Sequence, residues 1–484
     1  MKKFLFAFCL TSLTTMAFAQ WQGKEYVVED DAAVLEKLDE WQDLKLGFFV
    51  HWGAYSVEGL CESWPVVSED VDWLTPHADI KKFRDHYFND LPMQFNPTKF
   101  NPNQWANLAE DMGAKYFVFT TKHHDGFTMW NTKQTDYKIT NPKFPYAKAK
   151  HADVTAALFD AMRAKDMMIG AYISKPDWSH PNYWSPSFDT PGRNVNYKIE
   201  RHPDWWKKYT DFFYKQTEEL MTEYGDIDIL WLDGAWADKN NLGQDMKMDE
   251  VGKMCRDNQP GILVVDRWVG GRWENYRTPE QHIPSESNPI PWESCMTVNC
   301  CFSYRFEDSK ETRVKSGRVL THKFVDIVSK GGNLLLNLGA SPEGWFNKKE
   351  VDVVRELGQW IKMNDKAIYG TRAVSPFSLA NIRYTKAKDD SKIYAIVLLE
   401  EGENPSKAML SGCLAAKDAI IKDVATGKIV TFSREGNSTL VDMPRKKGIA
   451  QFAVAFEISK VEKMAGKVFG KSQDAIDAEN RNLK

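Results

Sequence analysis

Ile227-Asp228-Ile229-Leu230-Trp231-Leu232-Asp233-Gly234-Ala235-Trp236 is the stretch on which the fold turns. Five of the six residues from Ile227 to Leu232 are apolar, as expected of a strand covered on both faces in a parallel sheet. Asp233 then falls where such a strand opens into its loop, and barrel enzymes carry their catalytic groups at that end. Taken alone, Asp-Gly is equally well turn punctuation. The rest of the chain decides between the two.

Upstream, Val34, Leu38 and Trp41 keep helical spacing before Leu46-Gly47-Phe48-Phe49-Val50 runs into His51-Trp52-Gly53. The segment from Cys61 to Asn101 holds Pro65, Pro76 and Pro92 with no clean period, and reads as a long loop region able to line a site. Pro102 and Gly113 bracket a helix with Trp105, Leu108 and Met112. The strand Lys115–Thr120 follows, with His123-His124-Asp125-Gly126-Phe127 just beyond it. A helix through Val154, Leu158 and Met162 leads to a strand over Met168–Ile173, and a helix from Pro203 to Gly225 leads to Asp233. Downstream come strands over Ile262–Arg267, Ser294–Val298 and Asn333–Asn337, with helices through Leu320, Phe324 and Ile327 and through Val351, Val354, Leu357 and Ile361. This βα alternation predicts a parallel barrel or doubly wound sheet; seven strands can be read, and an eighth is inferred from barrel closure.

From about Ala367 the period changes to two, with short strands at Ile393–Val397, Ile420-Ile421, Ile429-Val430 and Phe452–Phe456. The expectation is a (β/α)8-like barrel over 20–366, a small antiparallel β-sandwich over 367–460 and a polar tail over 461–484. Residues 1–19, with Lys2-Lys3, an apolar run and Ala17-Phe18-Ala19, read as a signal peptide, so the chain should be exported, either periplasmic or secreted. Cys9 lacks the small-residue context of a lipoprotein site, and no later segment has the length and apolarity of a membrane span.

With 484 residues, 43% of them hydrophobic, the chain can bury a large core. Its net charge of -4, without a basic face, argues against nucleic acid or anionic membrane as partner. Cys61, Cys255, Cys295, Cys300, Cys301 and Cys413 are scattered, form no zinc spacing and read as free thiols.

His51, His123, His124, Tyr172, Asp233 and Arg267 all fall at or just after predicted strand ends, so one barrel mouth would collect them. Each alone has a structural alternative, as cap, core residue or ion-pair partner. A metal site on the consecutive His123, His124 and Asp125 is opposed by the alternation of side chains along an extended segment. Serine-nucleophile and phosphate-loop motifs are missing from the sequence. What remains is a pair of carboxylates with histidine and aromatic support, the minimum for glycoside hydrolysis. Asp233 is one; Glu280, Glu286 and Glu293 lie in a Pro-rich stretch and compete to be the second.

Phe48–Gly53, Lys122–Phe127, Trp231–Gly234, Asp266-Arg267-Trp268 and Pro291-Trp292-Glu293-Ser294-Cys295 resemble, in order, the motifs of the α-L-fucosidases of glycoside hydrolase family 29. The resemblance covers about 30 to 460. It implies a retaining exo-hydrolase of terminal α-L-fucosyl linkages on a (β/α)8-like barrel with a β-sandwich, using no metal and no cofactor. It makes Asp233 the nucleophile. Glu293 is the choice for acid/base, with Glu286 and Glu280 as alternatives. His51, His123, His124, Tyr172, Trp231 and Arg267 would bind or flank the sugar, and Trp236 would meet its C5 methyl. The family's Glu-Trp pair appears here as Glu62-Ser63-Trp64, which makes Trp64 a further substrate contact and leaves the glutamate displaced. The implied partner is a fucosylated glycan or oligosaccharide. Two other readings stay open: a carbohydrate-binding protein without turnover, and a metal-dependent hydrolase on His123 and His124.

Overall fold

A computed structural model describes residues 25–307, 309 and 312–466, so the expected signal peptide and most of the expected tail lie outside the described residues. Seven strands, β1 (Leu46–His51), β2 (Tyr116–Lys122), β3 (Met168–Ser174), β4 (Ile229–Asp233), β5 (Leu263–Asp266), β6 (Glu293–Thr297) and β7 (Asn333–Gly339), form one parallel sheet in the order β5-β4-β3-β2-β1-β7-β6. Nearly every strand residue is buried, which is why the strands read as continuous apolar runs.

The sheet curls, and the place of an eighth strand between β5 and β6 is taken by an irregular segment. Asn275 N–H donates to the Val264 carbonyl at 2.9 Å on the β5 side. On the β6 side, Arg277 N–H donates to Pro291, and Gln281 N–H to Cys295, each at 2.9 Å. Glu280 thereby stands beside Cys295 in a parallel bridge. Pro279, which cannot donate to a ladder, sits in this segment and keeps it from becoming regular.

The barrel interior is packed. Phe49, Tyr116, Val118, Met168, Tyr172, Ile229, Trp231, Leu263, Val265, Cys295 and Leu335 form one buried cluster with Val34, Leu38 and Trp41 of the Ala32–Leu44 helix. That helix, started by Asp31 as its cap, stoppers the end where the strands begin. Trp41 stacks on Tyr276 at 4.1 Å, and its carbonyl accepts from Asn333 Nδ2 at 2.8 Å. Gly47 is required here for space: a Cβ would stand 2.3 Å from the Tyr116 ring.

Three readings of the sequence are corrected. The Cys61–Asn101 stretch is not all loop, since it carries helices over Ile80–Asn89 and Leu91–Gln94. Of the longer one only Tyr87 is buried, which left no apolar period to read. The sandwich also reaches past 460. It comprises a five-stranded sheet, β13 (Ile421–Asp423), β16 (Ala453–Ile458), β10 (Ile393–Leu398), β9 (Ile382–Ala387) and β8 (Thr371–Leu379), a three-stranded one, β11 (Lys407–Leu410), β15 (Ser438–Asp442) and β14 (Phe432–Glu435), and a pair, β12 (Cys413–Ala415) with β17 (Val461–Met464). β17 is half-buried or exposed along its length and so looked like tail. Ile429-Val430 forms no strand, only an isolated bridge from Ile429 to Lys422. The sandwich docks on two barrel helices: Arg383 pairs with Asp326 of Gly317–Ser329 at 2.5 Å, and Trp360 of Lys348–Asn364 donates to the Ala453 carbonyl at 2.9 Å.

Candidate active site

β4 delivers Asp233 to the mouth, and Gly234 makes the turn after it with φ 90°, its α-carbon so close to Pro176 that a Cβ would clash at 2.3 Å. The two carboxylate oxygens have different partners. Oδ1 accepts from Gly234 N–H at 2.8 Å and from Arg267 Nη1 at 3.2 Å. Oδ2 accepts from the Tyr172 hydroxyl at 2.8 Å and faces His124 Nε2 at 3.8 Å. Burial pushes this carboxyl up, but the Arg267 charge, His124 and the Tyr172 hydrogen bond outweigh it and hold the group well below the usual carboxylate range. With 16% of its side chain exposed, Asp233 is an ionised carboxylate that a ligand can reach.

The two histidines do not alternate. β2 ends at Lys122, and a turn closed by Gly126 N–H on the His123 carbonyl at 3.1 Å brings both rings to one side, 4.2 Å apart. His123, His124 and Asp233 each offer a ligand atom within 4.8 Å of the others, so side-chain alternation does not oppose a metal there. The hydrogen-bond network fixes two tautomers. Asn337 gives its amide to the Phe302 carbonyl at 2.6 Å and turns Oδ1 to His51 Nδ1 at 2.7 Å. Ser174 donates to the Pro176 carbonyl at 2.8 Å and accepts from His124 Nδ1 at 2.5 Å. Both imidazoles thus keep Nε2 as a lone-pair acceptor. Burial pulls His51 down to about 3 and His124 to about 4, and puts His123 well below its ordinary value. His51 and His124 are therefore neutral from roughly pH 5 to 8.

Aromatic rings wall the mouth. Tyr172 stacks on Trp231 at 5.4 Å, with the Arg267 guanidinium 5.1 Å over the same indole. On the opposite side Trp64 lies 5.2 Å and Trp236 4.9 Å from the His124 ring. Arg193 sits over both Trp64 and Trp236, at 5.3 and 5.5 Å. Thus Asp233, His51, His123, His124, Tyr172, Trp231, Trp236, Arg267 and Trp64 are brought together in one contiguous cluster. Sequence reasoning missed Asn337, Ser174, Ser63 and Arg193. Asn337 and Ser174 lie at or near strand ends and could have been found by the rule that found Asp233; Arg193, in a Pro-Gly loop, carried no such signal.

Glu293 is not in this cluster. It is the first residue of β6, four residues and roughly 13 Å below the strand's upper end. There it is completely buried, accepting from the Tyr116 hydroxyl at 2.5 Å and from Trp231 Nε1 at 3.1 Å. Burial pushes it up to about 7, with the Tyr116 and Trp231 hydrogen bonds opposing. The Trp231 indole lies between it and the mouth: its ring face meets Tyr172 and Arg267, and its N–H is anchored to Glu293. Glu280, by contrast, is ion-paired with Arg267 Nη2 and has 34% of its side chain exposed. A single guanidinium therefore bridges Asp233 and Glu280. Glu286 is exposed on the loop between Glu280 and Glu293. Glu62 turns away with φ 47°, its carboxylate accepting from Ser303 N–H at 2.6 Å, while Ser63 Oγ meets His123 Nδ1 at 2.6 Å. The inserted serine thus occupies the position next to His123.

Residues 13–366 match the family model described as Alpha-L-fucosidase. An alpha-L-fucosidase of Dictyostelium discoideum is 25% identical over 455 residues, 87% of this chain and 92% of that protein. Alpha-L-fucosidase isoenzyme 1 from Paenibacillus thiaminolyticus superposes with a TM-score of 0.71 at 28% identity, covering 89% of this chain and 100% of that one. The Thermotoga maritima alpha-fucosidase, solved in complex with a mechanism-based inhibitor, superposes at 0.70 with 26% identity over 90% of this chain and 100% of its own. The chain belongs to the alpha-L-fucosidase family and is a glycoside hydrolase.

Proposed function

We propose that this chain is an exported, exo-acting α-L-fucosidase that retains configuration through a covalent fucosyl-enzyme, with Asp233 as nucleophile and Glu280, in place of Glu293, as acid/base. The observation that carries the reading is the Arg267 bridge between Asp233 and Glu280 at one mouth. Retention needs two carboxyls about 5 to 5.5 Å apart flanking one bond. Two acidic groups sharing a guanidinium are neighbours of that order.

Asp233 is ionised, and its two oxygens are oriented by Gly234, Arg267 and Tyr172, so it would attack the anomeric carbon without first losing a proton. Glu280, ion-paired with Arg267, would first take up a proton and so release the guanidinium to Asp233; it would then protonate the departing glycosidic oxygen and later take a proton from the incoming water. The neutral Nε2 atoms of His51 and His124 suit sugar hydroxyls as donors, and the Trp64 and Trp236 rings suit the apolar C5 methyl of a 6-deoxy sugar. The Thermotoga neighbour's complex with a mechanism-based inhibitor supports the covalent route.

The grouping of His123, His124 and Asp233 supports a second reading, a metal-dependent hydrolase. Arg267 weighs against it, since a fixed positive charge already bonds Asp233. The test is release of nitrophenol from 4-nitrophenyl α-L-fucoside, with chelator and with azide. Activity that resists chelator, vanishes in Asp233→Ala and partly returns with formation of fucosyl azide is the expected result. Loss to chelator would transfer the assignment to the metal reading; fucose binding without any turnover would make the chain a carbohydrate-binding protein.

A further inference from the structure

We propose that Cys61 and Cys301 form a disulfide that staples the loop after β1 to the loop after β6 at the rim of the site. The cysteines looked scattered, yet Cys61 Sγ and Cys301 Sγ lie 3.0 Å apart although 240 residues separate them. An S–S bond is about 2.05 Å, so closing the gap takes side-chain rotation on the scale of one ångström. The two loops are already held in register around the sulfurs. Glu62 N–H donates to Ser303 Oγ at 3.1 Å, Ser303 N–H donates to the Glu62 carboxylate at 2.6 Å, and Arg305 Nη1 donates to the Gly59 carbonyl at 2.6 Å.

What the staple joins gives it consequence. Cys61 is followed by Glu62-Ser63-Trp64, in which Ser63 meets His123 and Trp64 faces His124. Cys301 is followed by Phe302, whose carbonyl accepts from Asn337 and whose ring is 4.9 Å from His51. One covalent bond would therefore fix the supports of three histidines, whatever sugar the site accepts.

The chemistry balances with a low-molecular-weight disulfide as oxidant. The Cys301 thiolate attacks it, releasing one thiol and forming a mixed disulfide. Cys61 then attacks the Cys301 sulfur and expels the second thiol, so two protein thiols are oxidised and one external disulfide is reduced. Contact with Cys301 lowers the Cys61 thiol, but burial and the Glu62 carboxylate outweigh it and hold it above its ordinary value. Exchange at neutral pH is accordingly slow, and the bond acts as a permanent tie and not as a rapid switch. Cys300, exposed beside Cys301, is the competing thiol that the link leaves free.

The test treats the purified full chain with oxidised glutathione at mildly alkaline pH. The intact mass should fall by about 2 Da relative to the reduced protein. Alkylation under denaturing conditions should label four of the six cysteines of residues 20–484. A non-reducing tryptic digest should join the Cys61 peptide to the Cys301 peptide, and Tm should rise by about 5 °C, reversibly with reductant. Cys61→Ser and Cys301→Ser should each abolish the mass change, and Cys300→Ser should preserve it. Six labelled cysteines after oxidation of the wild type would overturn the proposal, without recourse to any variant. So would a link that survives Cys301→Ser and is lost in Cys300→Ser.

Discussion

The mouth and the floor of this barrel each hold a carboxylate, half-buried at the mouth and fully buried at the floor, and the two have been driven in opposite directions. At the mouth Asp233 meets a guanidinium and is held ionised; at the floor Glu293 meets the neutral donors Tyr116 and Trp231, and burial raises it to about 7. A value near 7 is what a general acid should have, and it belongs to the carboxyl that the Trp231 indole separates from the mouth. A perturbed titration thus marks burial first and catalysis only when a reacting atom can approach.

The comparison can be broken by substitution. Asp233→Ala is expected to lower kcat/KM on 4-nitrophenyl fucoside by at least about 10^4, since on the proposed retaining route both chemical steps pass through it. Glu280→Ala should cost about 10^2 to 10^4 on a natural glycoside and distinctly less on the nitrophenyl leaving group, which needs little protonation. Azide should restore part of that loss. Glu293→Gln should stay within about tenfold of wild type, because a glutamine can offer its carbonyl to Trp231 and its amide to the Tyr116 oxygen. If Glu293→Gln loses 10^2 or more on the glycoside and Glu280→Ala does not, the floor and the mouth exchange roles.

A thermal measurement sharpens the same contrast. Glu293 is raised from 4.5 to about 7, so the folded protein holds an extra proton between those values. Its contribution to stability is present at low pH and is lost as pH rises through about 7. Glu293→Gln removes that loss, so its Tm relative to wild type should improve by a few degrees between about pH 5 and pH 8. A difference independent of pH would refute it. The smallest effect expected is that of Ser63→Ala, which deletes the 2.6 Å contact to His123. About 1 kcal/mol, or roughly fivefold in kcat/KM, is the size of such a bond. An unchanged value would show that His123 is held by its packing against His51, Tyr55, Tyr172 and His124 without the serine.

How much of this was legible follows from where each residue sits. β4, β1 and β3 are continuous apolar runs that end in Asp233, His51 and, near the end, Tyr172, so period and punctuation located strand and site together. The second carboxylate was not legible. Glu280, Glu286 and Glu293 share a Pro-rich stretch without a period, and their heights are set by a segment that replaces a strand. The paired histidines misled for a related reason, since alternation holds only inside a strand and β2 stops one residue before them. Cys61 and Cys301 meet through tertiary structure alone. β17 was lost because no residue in it is buried.

The packed barrel interior, with the Ala32–Leu44 helix beneath it, has a kinetic consequence. A site floored by packed side chains has one door. A sugar seated deepest must wait until whatever it was attached to has gone, so products should depart in a fixed sequence, leaving group first and monosaccharide last. Free monosaccharide would then meet the empty site in direct rivalry with the next substrate. Accumulating product should raise the apparent KM and leave the maximal rate unchanged.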